Sequence, residues 1–169
     1  MKLIIYRILS FLLLPMAILF SISVLFLLRT AFANPAMFLP LFLFACIAIY
    51  SFTSLNFLIK GIDGKKPLSV SSKDWIKVNA IVSIIFALLM IIHCILFLVR
   101  PEMLQEIIAQ AKMNAGDDFK MSDAAFESYM HITSYFFLVY AIVLFAHVVL
   151  SLHYIKKYRY IFRNEKQQL

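Results

Sequence analysis

The sequence predicts an all-α integral membrane protein: four transmembrane helices in an up-down bundle, with a short amphipathic helix in the external loop between spans 3 and 4. Three observations predict it. Hydrophobic residues make up 63% of the chain and charged ones 15%, whereas a soluble domain is about 45–50% apolar and about a quarter charged. Four apolar runs each reach the roughly 20 residues needed to cross a hydrocarbon core about 30 Å thick. The basic residues gather in alternate connections, as they do where positive charge resists translocation. At 169 residues the four spans leave only short connections, so residues 1–169 are expected to form a single membrane domain.

The first run, Ile8 to Leu28, contains no ionisable residue and reaches about 32 Å as a helix rising 1.5 Å per residue. A secretory signal competes with this reading, because Lys2 and Arg7 precede the run and Ala31-Phe32-Ala33 has the small-x-small form of a cleavage site. Against it, the run exceeds the usual limit of roughly 15 residues, and Arg29 separates it from the cut. Cleavage would leave three spans without changing the sides of the remaining loops.

The second span is Ala36 to Ile59, reached through the tight link Arg29 to Pro35. Lys60 to Lys77 follows, with turn chemistry in Gly61, Asp63-Gly64 and Pro67. Ser71-Ser72-Lys73-Asp74 reads as the start of the third helix, a serine with an acid three residues on. Trp75 then falls where interfacial indoles sit, an anchor for the span Val78 to Val99.

The external loop, Arg100 to Tyr129, carries Glu102, Glu106, Asp117, Asp118, Asp123 and Glu127, and is the only acidic part of the protein. Pro101 suits a first helical position, and Met103, Leu104, Ile107, Ile108 and Ala111 recur at the spacing of one helical face. A short amphipathic helix on the outer interface is therefore expected, broken by Asn114 to Asp118. No acid pair has the alternating spacing of a calcium loop. Ser122 is placed to cap the fourth helix, with Met121 and Phe126 at staple positions. That span is Ile132 to Ile155, followed by a basic cytoplasmic tail, 156–169.

Orientation follows from charge. Lys2, Arg7, Lys60, Lys65, Lys66, Lys73, Lys77, Lys156, Lys157, Arg159, Arg163 and Lys166 fall on one side; Arg29, Arg100, Lys112 and Lys120 fall on the other. The first group belongs in the cytoplasm, with both termini, and the size and layout resemble small four-span proteins of bacterial inner membranes. The net charge of +7 does not imply nucleic acid, since no basic face with interleaved stacking aromatics is present.

Polar residues inside hydrocarbon mark the faces that meet other helices or a cavity. Thr133, Tyr140, His147 and Tyr154 fall at steps of seven with Ser151 beside them; Asn79, Ser83, Met90 and His93 follow a stripe on the third span, and Cys46, Tyr50, Thr53 and Phe57 on the second. The candidate polar seam is thus Tyr50, Asn79, Ser83, His93, Tyr140 and His147. It serves either as interhelical hydrogen bonding or as the lining of a solute path.

No metal or cofactor is expected. His93 falls near the outer leaflet and His147 near the inner one, about 15 Å or more apart along the normal at 1.5 Å per residue, whereas metal–nitrogen bonds are about 2 Å. Pairing His93 with His131, or His147 with His153, leaves a third ligand missing. The spans carry no Asp or Glu, and Cys46 and Cys94 form no CxxC pair, which disfavours proton-coupled export, thiol oxidation and hydrolysis. No catalytic residue is predicted.

Leu25-Phe26-Leu27-Leu28-Arg29 and Leu96-Phe97-Leu98-Val99-Arg100 end the first and third spans alike, and at the ends of the second and fourth Ser54-Leu55-Asn56-Phe57-Leu58-Ile59-Lys60 can be set against Ser151-Leu152-His153-Tyr154-Ile155-Lys156 through a hydroxyl, an aromatic and a terminal lysine. Duplication of a two-span hairpin would produce this, as would coincidence in a chain so rich in Leu, Phe and Ile. The leading functional expectation is a non-enzymatic structural, accessory or interaction protein of the bacterial inner membrane. Its partners would be the lipid bilayer and a membrane protein or further copies of itself. The alternative is an oligomeric small-solute transporter or channel using the seam.

Overall fold

A computed structural model describes residues 2–115 and 121–163. It contains α1 (Lys2–Ala31), a 3-10 turn (Pro35–Met37), α2 (Phe38–Asn56), a π-helical turn (Phe57–Asp63), the two-residue strand β1 (Leu68–Ser69), α3 (Val70–Val99), α4 (Pro101–Ala115), α5 (Asp123–Lys157), a second 3-10 turn (Arg159–Ile161) and β2 (Phe162–Arg163). α1, α3, α5 and the α2 segment through Asp63 are long and apolar enough to cross a membrane. Large apolar side chains such as Leu25, Phe26 and Val99 stand exposed, which is costly in water and free in hydrocarbon. The protein is a membrane protein.

α1, α3, α5 and the whole segment Pro35–Asp63 each extend past the predicted span at one end or both, their backbone hydrogen bonding continuing beyond the apolar run. The connection after α2 departs furthest from expectation. Gly61 and Asp63, read as turn residues, belong to the helical segment, which widens into the π turn before stopping at Gly64. Lys65, at φ 51°, then reverses the chain. The start of α3 also differs: Ser69, rather than Ser71, is the cap, its Oγ accepting from the Ser72 N–H at 3.2 Å. Pairing with β2 holds Ser69 extended, which suits a capping residue.

The described chain forms two compact units, Met1–Phe86 with Val143–Leu169, and Ala87–Ile142. In the first, α1 packs along α2. The inward stripe of α1 is Tyr6, Ser10, Leu13, Ala17 and Phe20, alternating steps of four and three that keep one face turned inward. Phe20, Phe44 and Phe86 meet with ring centroids 4.8–6.5 Å apart.

At one end of this unit β1 pairs in parallel with β2, Leu68 opposite Phe162, and Phe57 stacks on Phe162 at 5.3 Å. Arg7 pairs with Asp63 at 2.6 Å, an exposed contact worth under about 1 kcal/mol. Gly61 is buried where these segments converge: a Cβ there would meet Leu68 Cδ1 at 3.0 Å and Phe57 Cδ2 at 3.2 Å, both on side chains that can yield. At Gly64 a Cβ would instead meet the Lys60 carbonyl oxygen at 2.9 Å. Backbone yields less readily, so Gly64→Ala is expected to cost about 1 kcal/mol and more than Gly61→Ala, read as the shift in thermal unfolding midpoint in micelles.

In the second unit, α4 begins at Pro101 as the sequence predicts. Its apolar face does not lie free: Leu104 and Ile108 are buried against Phe97, with Leu98, Ile107, Phe126 and Met130 around them. α4 is described through Ala115, inside the segment Asn114–Asp118 where the break is expected; Gly116–Lys120 lie outside the described residues. Ser122 caps α5 as expected, its Oγ accepting from the Ala125 N–H at 3.3 Å. Lys112 bridges α4 to Asp123 of α5 at 2.6 Å.

Candidate functional site: a buried histidine cluster

Three polar side chains of the first unit, Tyr6, Ser10 and Tyr50, meet at His147. It is 1% exposed, and Tyr50 on α2 is 0% exposed. His147 Nδ1 lies 2.8 Å from the Tyr50 hydroxyl, and Nε2 lies 2.9 Å from Ser10 Oγ on α1. Ser10 in turn donates to the Tyr6 carbonyl at 2.8 Å. A serine hydroxyl has one proton to give. With that proton on the Tyr6 carbonyl, Ser10 accepts from Nε2–H, and Nδ1 accepts from the Tyr50 hydroxyl.

The resulting chain runs from Tyr50 through His147 and Ser10 to a main-chain carbonyl, joining α2, α5 and α1 in one direction. The Tyr6 ring stacks on the imidazole at 4.9 Å and 11°, while the Tyr50 ring meets it edge-on at 5.6 Å. Beyond it, the Tyr6 hydroxyl lies 3.4 Å from both the Ser54 carbonyl and Ser151 Oγ. Those two serines are fully buried and flank one tyrosine.

Of the predicted seam, the structure brings Tyr50 and His147 into direct contact. Asn79 is buried but spends its amide on the Trp75 carbonyl of its own helix, at 2.8 Å. Ser83 is fully buried, and its hydroxyl has no hydrogen-bond partner among the described residues. Tyr140 is buried in the second unit. His93 is exposed and falls outside the seam. The inward stripe of α3 passes through Ser83, Ala87, Cys94 and Phe97, and His93, one residue before Cys94, is turned about 100° away on a 3.6-residue helix. Trp75 is exposed, as suits an interfacial anchor.

The other histidines stand apart in character. His153 is exposed, facing a groove with Ile5, Val149 and Leu150, so it does not share a site with buried His147. His131 is partly exposed, 3.8 Å from Glu127 on the same helix and edge-on to Phe97 at 6.1 Å. Among the described residues no three His, Cys, Asp or Glu side chains are grouped to hold a metal ion.

Sequence reasoning missed Tyr6 and Ser10. The signal was present: Ser10 is the first hydroxyl of the opening apolar run, and Tyr6 precedes it by one helical turn. Chemically the cluster holds no carboxylate, and its hydrogen-bond chain ends on a carbonyl. A carbonyl accepts a proton but does not pass it on, and these hydrogen bonds tie α1, α2 and α5 together. No family model, curated protein or solved structure matches the chain.

Proposed function

We propose that this is a non-enzymatic protein of the bacterial inner membrane, an up-down bundle of four spans with both termini in the cytoplasm. It acts as a packing partner, assembly factor or accessory subunit through its helix faces and its acidic external loop. The observation that carries the reading is the saturation of His147, whose two ring nitrogens are spent on Tyr50 and Ser10 in a closed interior. A solute path would keep such groups facing water, so their mutual pairing favours a scaffold over a transporter. The outward surfaces of the long helices, rich in exposed Ile, Leu and Phe, are left for lipid or a partner helix.

Gentle purification from native membranes, with identification of co-purifying proteins, tests the role. A stoichiometric membrane-protein partner or a homo-oligomer is expected, and recovery of a lone monomer would overturn it. Reporter fusions after Lys66, Asn114 and Leu169 test the topology: the first and last are expected to report cytoplasm and the second the outside. An external carboxyl terminus would refute the orientation drawn from charge.

A further inference from the structure

At the end of the first unit where β1 meets β2, Lys65, Lys66, Pro67, Tyr160 and Ile161 enclose a cleft of about 210 Å³. We propose that this cleft binds the phosphoryl group of an anionic phospholipid. The inference is independent of whether the chain scaffolds a partner. Three features converge on it.

The first is how the cleft is built. Lys65 occupies the left-handed region at φ 51°, and the turn around it is held by the Gly64 N–H on the Ile59 carbonyl at 2.9 Å and the Lys66 N–H on the Lys60 carbonyl at 3.0 Å. The Leu68–Phe162 register then brings residues 65–67 against Tyr160 and Ile161. Both lysines thus sit on a fixed turn, although their own side chains are exposed.

The second is a surplus of positive charge among the described residues. Lys60, Lys65, Lys66, Lys156, Lys157 and Arg159 lie in the two segments that flank the cleft. Asp63, the acid of the same turn, is already paired with Arg7. Among the described residues no carboxylate lies within ion-pair distance of Lys65 or Lys66. The third is amphiphilic lining. Pro67, Tyr160 and Ile161 line the cleft beside the two lysines, a mixture that suits a phosphodiester carrying its glycerol better than free phosphate. Exposed Tyr160 and Trp75 belong to this same unit, and such rings settle at headgroup depth.

The test is native mass spectrometry of the full chain in detergent, titrated with phosphatidylglycerol, phosphatidylcholine or inorganic phosphate. Phosphatidylglycerol is expected to be retained in preference to phosphatidylcholine. The double variant Lys65→Asn, Lys66→Gln should weaken that retention roughly 20- to 30-fold, from the typical worth of a juxtamembrane lysine near an anionic surface; asparagine tolerates the left-handed backbone. The charge-keeping pair Lys65→Arg, Lys66→Arg should retain the lipid, which separates loss of charge from loss of fold. Lys73→Gln with Lys77→Gln, equal in charge removed but outside the cleft, should weaken retention distinctly less than the cleft pair.

Displacement of the lipid by millimolar inorganic phosphate would overturn the phospholipid assignment in favour of free phosphate. No competition would support the lipid headgroup as the source. Equal retention of the two lipids, or equal loss in both charge-removing pairs, would overturn the proposal, since either would reduce the site to a diffuse basic surface.

Discussion

His147→Ala is expected to destabilise the protein by about 2–3 kcal/mol, measured by denaturant titration in micelles. Two physical terms add. Truncating the ring opens a cavity under the Tyr6 stack, and large-to-small changes in packed interiors cost a few kcal/mol. The hydroxyls of Tyr50 and Ser10 also lose their imidazole partner, at about 0.6 kcal/mol per contact between membrane helices and rarely above about 1.7. A double-mutant cycle isolates the second term. Combined with Tyr50→Phe, the coupling should be about 0.5–1.5 kcal/mol. Strict additivity would mean that the 2.8 Å contact contributes nothing to register. His153→Ala is the control: six residues along the same helix but exposed, it should fall within about 0.5 kcal/mol of the parent.

Leu104→Ala should have an effect at least as large on α4, about 2–4 kcal/mol of that helix's local stability. α4 has 15 residues, near the lower limit at which a helix persists in water without tertiary support, and Leu104 and Ile108 are its fully packed contacts with Phe97. The readout is amide hydrogen exchange across 101–115, expected to rise well above that of α3 in the same sample. Unchanged protection would show that α4 is held by something else, with the Lys112–Asp123 bridge as the first alternative to remove. That bridge is exposed at both ends, so Asp123→Asn alone should change protection little.

Much of the local structure was legible because membranes leave the backbone few choices. A run such as Ile8 to Leu28 has no alternative in hydrocarbon to satisfying its peptide groups within a helix, and the four long apolar helices follow. The helix opening at Pro101 and the Ser122 cap were equally readable, since each depends on chemistry within four residues. Of the step of seven on the fourth span, Tyr140, His147 and Tyr154 are buried and Thr133 is half-buried. On α3 the same reasoning drifted in phase: choosing His93 because it was polar moved the stripe one residue off Cys94.

The sequence by itself determined the solvent, the helices and the charge asymmetry, because hydropathy and helix length are properties of contiguous residues. Tertiary structure alone decided which polar groups meet. Ser10 and His147 are 137 positions apart, and no periodicity within one helix encodes a partner on another. It also decided the Ser69 cap, which sits in the strand that pairs with Phe162 and Arg163. The reason is the same in both cases: apolar burial selects a face of each helix but is non-directional, whereas hydrogen bonds require distance and angle and so exist only once the helices are in place.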